Sequence, residues 1–541
     1  MIPGATKTTA CAQPGRGELR QTSCTTWRPP STSSAMREAA VRPGFPAIVL
    51  ITACAAVIGG ALAFRTSAAL TGLSALCAIG TVLIFARAIP GAFLATLGIV
   101  LAGYAFLGRS FAYLGAPPLF IGEMMLALGL VAALVSGSLL SLVRSPVTWL
   151  ILAVSAWGAM RTLPYIGTYG LDALRDATLW GYGAFALTVA ACVLSTRSVP
   201  IIARHYEKWI LWFAAWLPAG MVLSRLLGDS VPTMPGTDIA LLSMKPGDAG
   251  VHLGGAAAFM LLGLYGGFRD GRSAPRPSPR LFWVLWGISL LVVTALNRGG
   301  FLAATAALLV VAILEPFVVG KKIVVYGMMA ILAAAVILVV SFNANSASQV
   351  AAISEERELT PRQVVENVVS IVGRQSQARG NLASTKEWRL DWWGVIVDYT
   401  IFGRYFWDGK GFGINLADDD GFQVATEDQA PLRSPHNVYM TALARMGVPG
   451  AALWVAVQVC FGLSLVQAYL RARFAGALWW ARMNLWILAY WSAFLVNASF
   501  DVFLEGPQGG IWFWCLIGLG IAVLEMQRTG IPGGRSVRTT G

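Results

Sequence analysis

Long apolar runs recur along the 541-residue chain, and they constrain its fold more than any other feature. A bilayer core about 30 Å thick needs about 20 apolar residues per helix, because an α-helix rises about 1.5 Å per residue. Runs near that length follow one another from about residue 46 to residue 526. Hydrocarbon offers no partner for backbone N–H and C=O groups, so such runs cross a membrane as helices. The sequence therefore predicts an all-α, polytopic transmembrane helix bundle.

Composition supports the membrane assignment. Charged residues make up 12% of the chain, about half the share in soluble domains, and the 20 tryptophans favour the membrane–water interface. The formal net charge of +13 would suggest a nucleic-acid partner in a soluble protein, but here Lys and Arg occupy short turns between apolar runs. Turns of this kind collect positive charge when they face the cytoplasm. The sequence therefore predicts a bilayer as partner and no nucleic acid.

The apolar runs fit about 12–14 membrane spans. Threading them with the N-terminus in the cytoplasm brings almost every basic turn to the cytoplasmic side, whereas the opposite threading places them all outside. Both termini are therefore predicted to be cytoplasmic. The predicted spans are 46–64, 66–86, 89–107, 118–143, 147–163, 177–195, 208–227, 250–268, 280–297, 300–318, 323–342, 436–470, 483–500 and 508–526.

This threading assigns one large polar loop to the outer side of the membrane. A loop of that length is most often functional, and the aromatic stretch "DWWGVIVDY" predicts short helices lying at the interface. Trp388, Trp392 and Trp393 are expected to anchor the loop in the membrane rather than to stack on sugars. The predicted segments are a disordered cytoplasmic tail (1–45), helices 1–11 (46–342), the extracytoplasmic loop (343–435), helices 12–14 (436–526) and a cytoplasmic tail (527–541).

One histidine and two arginines, far apart in sequence, are all assigned to the outer surface. His436 lies where the large loop re-enters the membrane, Arg298 lies in a short turn between spans, and Arg389 lies in the loop. Arginine offers a planar fork of donors that matches phosphate geometry. Histidine has a pKa near neutrality and can take a proton from an attacking hydroxyl. The trio therefore predicts a site for a lipid-linked diphosphate beside an activated acceptor hydroxyl.

Each member of the trio also has a structural interpretation. Arg and His at an interface often extend toward water or cap a helix end without binding a ligand. Arg389 could pair with Asp391 or Glu387. Pro435 suits a helix start, and Asn437 is expected to orient the neighbouring imidazole.

Three stretches carry a family resemblance. "SPHNVYMTALARMGVPG" looks like the His-Asn signature, with its following glycines, of the O-antigen ligase/polymerase superfamily. "RLDWWGVIVDYTIFGRYFWDGKGFG" is similar to the stretch that precedes that signature. "NRGGFLA" resembles the family's Ser-Arg-Gly segment, with Asn297 in place of the usual Ser. The resemblance covers about residues 285–465.

The resemblance implies a metal-independent, inverting glycosyltransferase that needs no cofactor. It implies transfer of a glycan from undecaprenyl diphosphate to a sugar hydroxyl at the periplasmic face of the bacterial inner membrane. The acceptor would be lipid A-core for an O-antigen ligase, or another glycan for a repeat-unit polymerase. Carried over residue by residue, His436 is the general base, and Arg298 and Arg389 hold the diphosphate. Many members have Glu where this chain has Arg445, so the acidic role at that position is in doubt.

Two further residues are assigned to supporting or acceptor-side roles. His252 falls at the outer end of a span near Lys245 and Asp248, where it either lines the acceptor path or caps a helix. Glu123 lies near the start of a span, and ionisable groups inside spans are rare and usually paired. The partners expected for its salt bridge are Arg109 and Arg161.

No metal site is assigned. The seven cysteines show no disulfide framework and no zinc spacing. The stretch "LADDDGFQVATE" (416–427) nearly matches a calcium loop, but Leu416 stands at the first ligand position, so calcium is a minor alternative. "GKGFG" (409–413) lacks the preceding strand and the Lys-Ser/Thr of a nucleotide loop, and it is expected to form a turn.

A polysaccharide transporter or lipid-linked glycan flippase is the main alternative to an enzyme, and a non-catalytic scaffold in an export complex is a weaker one. Transporters place their binding groups near the bilayer midplane, often within repeated halves. This chain shows no convincing repeat, and its candidate polar residues concentrate at one predicted surface. These features favour the enzyme.

Overall fold

A computed structural model describes residues 85–116, 119–237, 239–265, 279–316, 320, 381–423 and 432–529. The predicted N-terminal tail and three of the predicted spans (46–64, nearly all of 66–86, and 323–342) lie outside the described residues. The same holds for loop residues 343–380 and for most of the predicted C-terminal tail.

The described residues form helices joined by short turns, with one small antiparallel strand pair between the first two helices. The pair consists of β1 (Gly115–Ala116) and β2 (Leu119–Phe120), in which Gly115 faces Phe120 and Ala116 faces Leu119. The helices are α1 (Ile89–Leu107), α2 (Ile121–Val135), α3 (Leu139–Leu142), α4 (Pro146–Thr162), α5 (Ile166–Tyr169), α6 (Leu171–Asp176), α7 (Thr178–Gly181), α8 (Gly183–Thr196), α9 (Val199–Leu227), α10 (Pro246–Leu261), α11 (Pro279–Leu296), α12 (Arg298–Leu314), α13 (Asn381–Thr400), α14 (Leu416–Asp420), α15 (Val438–Phe474), α16 (Leu478–Ala498) and α17 (Pro507–Arg528).

The prediction of an all-α, polytopic membrane bundle is confirmed. Within the described residues, five helices (α1, α9, α11, α15 and α17) are long and apolar enough to cross a membrane. A sixth span results if α6–α7 and α8, bent by 46°, count as one. Large apolar side chains such as Leu134, Trp212 and Ile313 point outward, as contact with lipid requires. The total of 12–14 spans stays a prediction.

Small residues allow two parallel helices, α10 and α12, to approach closely. A Cβ atom added to Gly250 would lie 2.2 Å from the carbonyl oxygen of Gly300, and one added to Gly254 would lie 3.1 Å from the Cα atom of Ala304. This four-residue spacing of small residues is typical of helix pairs inside membranes. Because the contacts advance in step along both helices, the N-termini of α10 and α12 emerge at the same end of the bundle.

The turns segregate to two ends of the bundle. At the end that we name the loop end, the turns after α1 and α9 meet where the amide of Arg109 donates to the carbonyl of Ser243 (2.9 Å). The turns after α4 and α16 meet there where Thr178 Oγ1 donates to the carbonyl of Glu505 (3.0 Å). At the opposite, basic end, Arg528 donates to the carbonyl of Arg144 (3.0 Å). Turns that were predicted to share a side of the membrane therefore lie together.

The helix after the large loop, α15, is not one continuous span. It begins at Val438 rather than at the predicted residue 436, and Gly447 breaks it with φ 67° and ψ −174°. The part before the break is therefore a short helix of its own, and the part from Val448 to Phe474 is long enough to cross a bilayer. His436 thus precedes a short helix at the loop end rather than opening a membrane span directly.

Candidate functional site

The backbone at His436 has an unusual conformation. Its φ of 53° lies in the left-handed region, which costs a non-glycine residue about 1–2 kcal/mol. The next residue, Asn437, is extended and caps α15: its side-chain oxygen accepts from the amides of Tyr439 (2.9 Å) and Met440 (3.3 Å). The carboxamide oxygen of Asn437 is therefore occupied by the helix N-terminus, and the expectation that Asn437 orients the imidazole stays a prediction.

One face of α13 fixes the segment that carries His436. Arg389 Nη1 donates to the carbonyl of Phe500 (3.0 Å), and Trp393 Nε1 donates to the carbonyl of Pro435 (2.9 Å). The two side chains are four residues apart and therefore share a helix face. Through them α13 joins the segment before α15 to the turn after α16.

The neighbouring tryptophans pack within the protein. Trp392 is fully buried, stacks on Phe422 at 5.5 Å and donates its indole N–H to Asp420 (2.7 Å). Trp388 contacts Trp392 edge to face. The expectation that these tryptophans anchor the loop in lipid is therefore wrong for Trp392, which is fully buried, whereas Trp393 is half-buried and its anchoring role stays a prediction.

Arg298 begins α12 at the same turn. Asn297 caps this helix by accepting from the amide of Gly300 (2.9 Å). A Cβ atom added to Gly299 would lie 3.7 Å from the Cβ atom of Phe500, whose carbonyl binds Arg389. The backbone at Arg298 and the guanidinium of Arg389 therefore approach opposite parts of one residue, Phe500, in the turn after α16.

Burial and charge keep the imidazole of His436 neutral at pH 7. The pKa of His436 is lowered to about 4, mainly by burial and then by the charges of Arg389 and Lys245, which outweigh the opposing effects of Asp501 and of a backbone hydrogen bond at Ser434. The Nδ1 atom is buried and has no hydrogen-bond partner among the described residues. A neutral imidazole beside two cations can accept a proton while an anion occupies the space next to it.

We name this group the His436 cluster: His436, Arg389, Lys245, Asp501 and Asn497. Two of its members, Asp501 and Asn497, were not predicted from the sequence. Asp501 pairs loosely with Lys245 (3.9 Å), and both polar atoms of the fully buried Asn497 carboxamide have no hydrogen-bond partner among the described residues. The stretch "NASFDVFLEG" could have indicated Asp501, because a carboxylate at the outer end of a predicted span is as unusual as Glu123 near the start of one.

A second polar group, the Asp176 network, lies on the other side of the same segment. The carboxylate of Asp176 accepts from Arg445 (2.9 Å), Arg433 (3.0 Å) and the amide of Gly413 (3.1 Å). The carboxylate of Glu505 accepts from Ser434 (3.0 Å) and Thr441 (2.8 Å). Arg445 is only 2% exposed. Arg445, at the position where the resemblance raised doubt about an acidic role, is therefore part of a buried structural network.

The glycine-rich stretch at 409–413 forms the predicted turn, and the turn docks on the break in α15. The amides of Lys410 and Gly411 donate to the carbonyls of Ala444 (2.7 Å) and Arg445 (3.0 Å). Gly409 has a φ of 61°, and a Cβ atom there would lie 2.5 Å from the backbone of Arg445. The break at Gly447 frees carbonyls that an unbroken helix would use, and the loop backbone binds them.

His252 is buried and Glu123 is half-buried, and both lie outside the His436 cluster. His252 Nδ1 shares a hydrogen bond with the hydroxyl of Tyr490 (2.5 Å), and its ring lines a small recess together with Lys245 and Asp248. Glu123 accepts from the hydroxyl of Tyr182 (2.9 Å). The partners predicted for Glu123 are wrong: Arg109 donates to Tyr113 (3.2 Å), and Arg161 pairs with Asp408 (3.5 Å).

The carboxylates of the possible calcium loop are used within the protein. Asp420 accepts from Lys410 and Trp392, and Asp418 accepts from Asn415 and Gln423. In the part of the chain that the structure describes, no group of three or more His, Cys, Asp or Glu side chains could hold a metal ion.

Comparison with known families agrees with the residues that build the site. Residues 283–455 match the family model described as O-antigen ligase, and this range includes Arg298, Arg389 and His436. No curated protein matches the chain. The helical bundle and this match together support a multi-pass membrane protein with a glycosyltransferase domain of the ligase/polymerase type in general. The match over residues 283–455 therefore supports the predicted resemblance of this part of the chain to the O-antigen ligase/polymerase superfamily.

Proposed function

We propose that the protein transfers a glycan from undecaprenyl diphosphate to a sugar hydroxyl at the periplasmic face of a bacterial inner membrane, with both termini in the cytoplasm. The observation that carries the proposal is the neutral His436 held beside Arg389 at the loop end, inside the matched domain. A lipid-linked diphosphate sits at the membrane–water boundary, so the base that serves its anomeric carbon must lie at the same depth.

The arrangement supports a single displacement. The acceptor hydroxyl oxygen attacks the anomeric carbon, and the bond from that carbon to the diphosphate oxygen breaks. The diphosphate leaves with the bonding electron pair, and His436 takes the proton of the hydroxyl. One displacement inverts the configuration of the anomeric carbon.

Cationic side chains supply the charge that stabilises the leaving diphosphate in this mechanism. Arg389 reaches the turn at Phe500, and Arg298 lies in the first turn of α12, where the helix dipole also favours an anion. The two guanidiniums bind the phosphates through charge-assisted hydrogen bonds, so the proposed reaction is metal-independent.

The proposed chemistry is the same for different donor glycans and acceptors, so it does not determine which ones the protein uses. An O-antigen ligase joins a finished glycan to lipid A-core, and a polymerase joins repeat units to each other. Both reactions need the same base and the same diphosphate clamp. Deletion of the protein distinguishes them: lost chain-length ladders with single repeats retained indicate a polymerase, and accumulated long lipid-linked chains indicate a ligase.

A transporter or flippase is the alternative function, and replacing His436 with Ala tests it. An enzyme loses surface glycan product while the variant still reaches the membrane, because general-base catalysis contributes about 10²–10⁴-fold. A transporter is largely indifferent to the change. The matched control is His205→Ala, in the first turns of α9 at the basic end. Retained product in His436→Ala contradicts the proposal.

A further inference from the structure

Two neighbouring helices begin with a cation at the loop end. Lys245 is the N-cap residue of α10, and Arg298 is the first residue of α12. Because the two helices pack in parallel through Gly250 and Gly300, both N-termini point the same way. The N-terminus of a helix carries positive partial charge, so a cation there is unfavourable unless an anion is nearby. This pair of N-termini therefore favours an anionic ligand.

Acidic side chains supply only part of that negative charge. Asp248 lies in the first turn of α10 and is nearly buried, and Asp501 lies in the turn after α16. The ion pair between Lys245 Nζ and Asp501 Oδ1 is long, at 3.9 Å, and both side chains are partly exposed (36% and 19%). Exposed pairs of this kind contribute little free energy, so a stronger anion displaces them easily.

Asp501 is fixed by its backbone rather than by Lys245. Its Oδ1 accepts from the amide of Val502 (2.7 Å), and its own amide donates to the carbonyl of Asn497 (3.0 Å). The second carboxylate oxygen lies over the start of α10, 3.3 Å from the position of a Cβ atom on Gly247. The carboxylate therefore keeps its position when Lys245 moves away.

The charged groups that act on His436 come from three elements. Arg389 lies on α13, Lys245 at the start of α10 and Asp501 in the turn after α16. The two cations disfavour a protonated imidazole, and only Asp501 among these groups favours it. A ligand that neutralises Lys245 and Arg389 therefore removes the two charges that oppose protonation and leaves the favourable charge of Asp501 in place.

We propose that Lys245 is a third cation for the diphosphate of the donor, and that donor binding breaks its pair with Asp501 so that Asp501 can stabilise the protonated His436. Asp501 is a positioning residue in this scheme, since it acts through the imidazole. The inference rests on the proposed function, and it adds a coupling between donor binding and the basicity of His436. An empty site keeps a weak base, and a loaded site has a stronger one.

Binding of undecaprenyl diphosphate, without a glycan, to the full chain in nanodiscs tests the scheme. Lys245→Gln should weaken binding about tenfold, which corresponds to one lost charge-assisted contact, and Lys245→Arg should restore most of the affinity. Asp501→Asn should leave binding equal or tighter, because it removes the anion that competes for Lys245. The matched controls are Lys208→Gln on α9 and Asp408→Asn, an exposed carboxylate that pairs with Arg161.

Transfer kinetics give a second, independent measurement. Asp501→Asn should lower kcat about tenfold or more while the KM for the donor stays equal or falls, whereas Lys245→Gln should mainly raise KM. A purely structural role for Asp501 would weaken binding and lower kcat together.

The scheme is overturned if Lys245→Gln binds undecaprenyl diphosphate as tightly as Lys208→Gln, or if Asp501→Asn weakens binding as much as Lys245→Gln does. Its failure differs from failure of the proposed function. If wild type binds the lipid and His436→Ala abolishes transfer while Lys245→Gln binds normally, only this inference fails. If wild type does not bind the lipid, or if His436→Ala still transfers glycan, the proposed function itself fails.

Discussion

The two polar groups beside the segment Arg433–Arg445 differ in how well their members are satisfied. In the Asp176 network, the carboxylates of Asp176 and Glu505 each accept two or more hydrogen bonds. In the His436 cluster, Nδ1 of the histidine and both polar atoms of Asn497 have no hydrogen-bond partner within the described residues. Neighbouring residues of this one segment therefore lie in two different environments, one with paired carboxylates and one with unpaired polar atoms.

This difference separates a scaffold from a site. Buried polar groups are normally paired, so a network whose carboxylates are paired holds the fold, even though Arg433 Nε has no hydrogen-bond partner among the described residues. Unpaired groups beside a strained backbone indicate a place for a ligand. The strained backbone at His436, with its unpaired Nδ1 atom, indicates such a place for a ligand. The same family-like stretch therefore contains residues that we propose to act on substrate and residues that hold the loop.

The largest expected effect is on the Asp176 network. Arg445→Met should destabilise the protein by about 3–5 kcal/mol, because it leaves the buried Asp176 carboxylate without its closest cation. Thermal unfolding of the purified protein measures the change. Adding Asp176→Asn to Arg445→Met should recover part of the loss, since the buried carboxylate that has lost its closest cation, although it still contacts Arg433, is then neutral. Wild-type stability of Arg445→Met would contradict the scaffold role.

The His436 cluster should show the opposite pattern. His436→Gly should abolish transfer, a loss of about 10²–10⁴-fold, while stability stays within about 1 kcal/mol because glycine tolerates a positive φ. Transfer assays and unfolding curves are read on the same preparation. If the stability of His436→Gly falls as far as that of Arg445→Met, the His436 cluster is part of the scaffold as the Asp176 network is, and the distinction between them fails.

Arg389→Lys should have a smaller effect on function. Lysine keeps the positive charge and loses the planar fork, so the KM for the donor should rise about tenfold with unchanged expression. Arg404→Lys, on an exposed arginine that contacts Tyr405, is the matched control. Equal KM values in both variants would remove Arg389 from the diphosphate clamp.

Gly409→Ala should loosen the turn that docks on α15. The added Cβ atom would lie 2.5 Å from the backbone of Arg445 at a φ of 61°, which should cost about 1–3 kcal/mol. Limited proteolysis should then cut the loop faster. Gly421→Ala, at a φ of 79° with open space around it, is the control for the conformation alone.

The smallest expected effect is a difference between two pH profiles. Because the pKa of His436 is lowered to about 4 in the empty protein, the imidazole is neutral above that pH and kcat/KM should fall only below it. Bound diphosphate adds negative charge and favours the protonated form, so the acid limb of kcat should lie at a higher pH. Coincident limbs would show that the donor does not affect the imidazole.

Much of the fold could be predicted from the sequence because lipid allows few solutions. Apolar run length alone indicated helices, and basic turns indicated which ends lie together. The break at Gly447 was overlooked, although the glycines and the proline of "GVPG" (447–450) disfavour a continuous helix. The sequence gives no sign of the loop amides, at Lys410 and Gly411, that bind the freed carbonyls.

The site was predicted in outline for a similar reason. Arg298 and His436 stood out because charged and titratable groups are rare beside apolar runs. The roles of Asn437, Trp392 and Glu123 were not predictable, because a hydrogen-bond partner depends on side-chain geometry across distant segments. Asp501 was overlooked even though its position at a span end carried the same signal.

A structure of the protein in nanodiscs with undecaprenyl diphosphate bound tests the central claim most directly. The account predicts that the diphosphate lies at the loop end beside Phe500, within charge-assisted hydrogen-bond distance of Arg298 and Arg389 and next to the imidazole of His436. Density for the diphosphate near the middle of the bundle, with His436 remote from it, would contradict the account and favour a transporter.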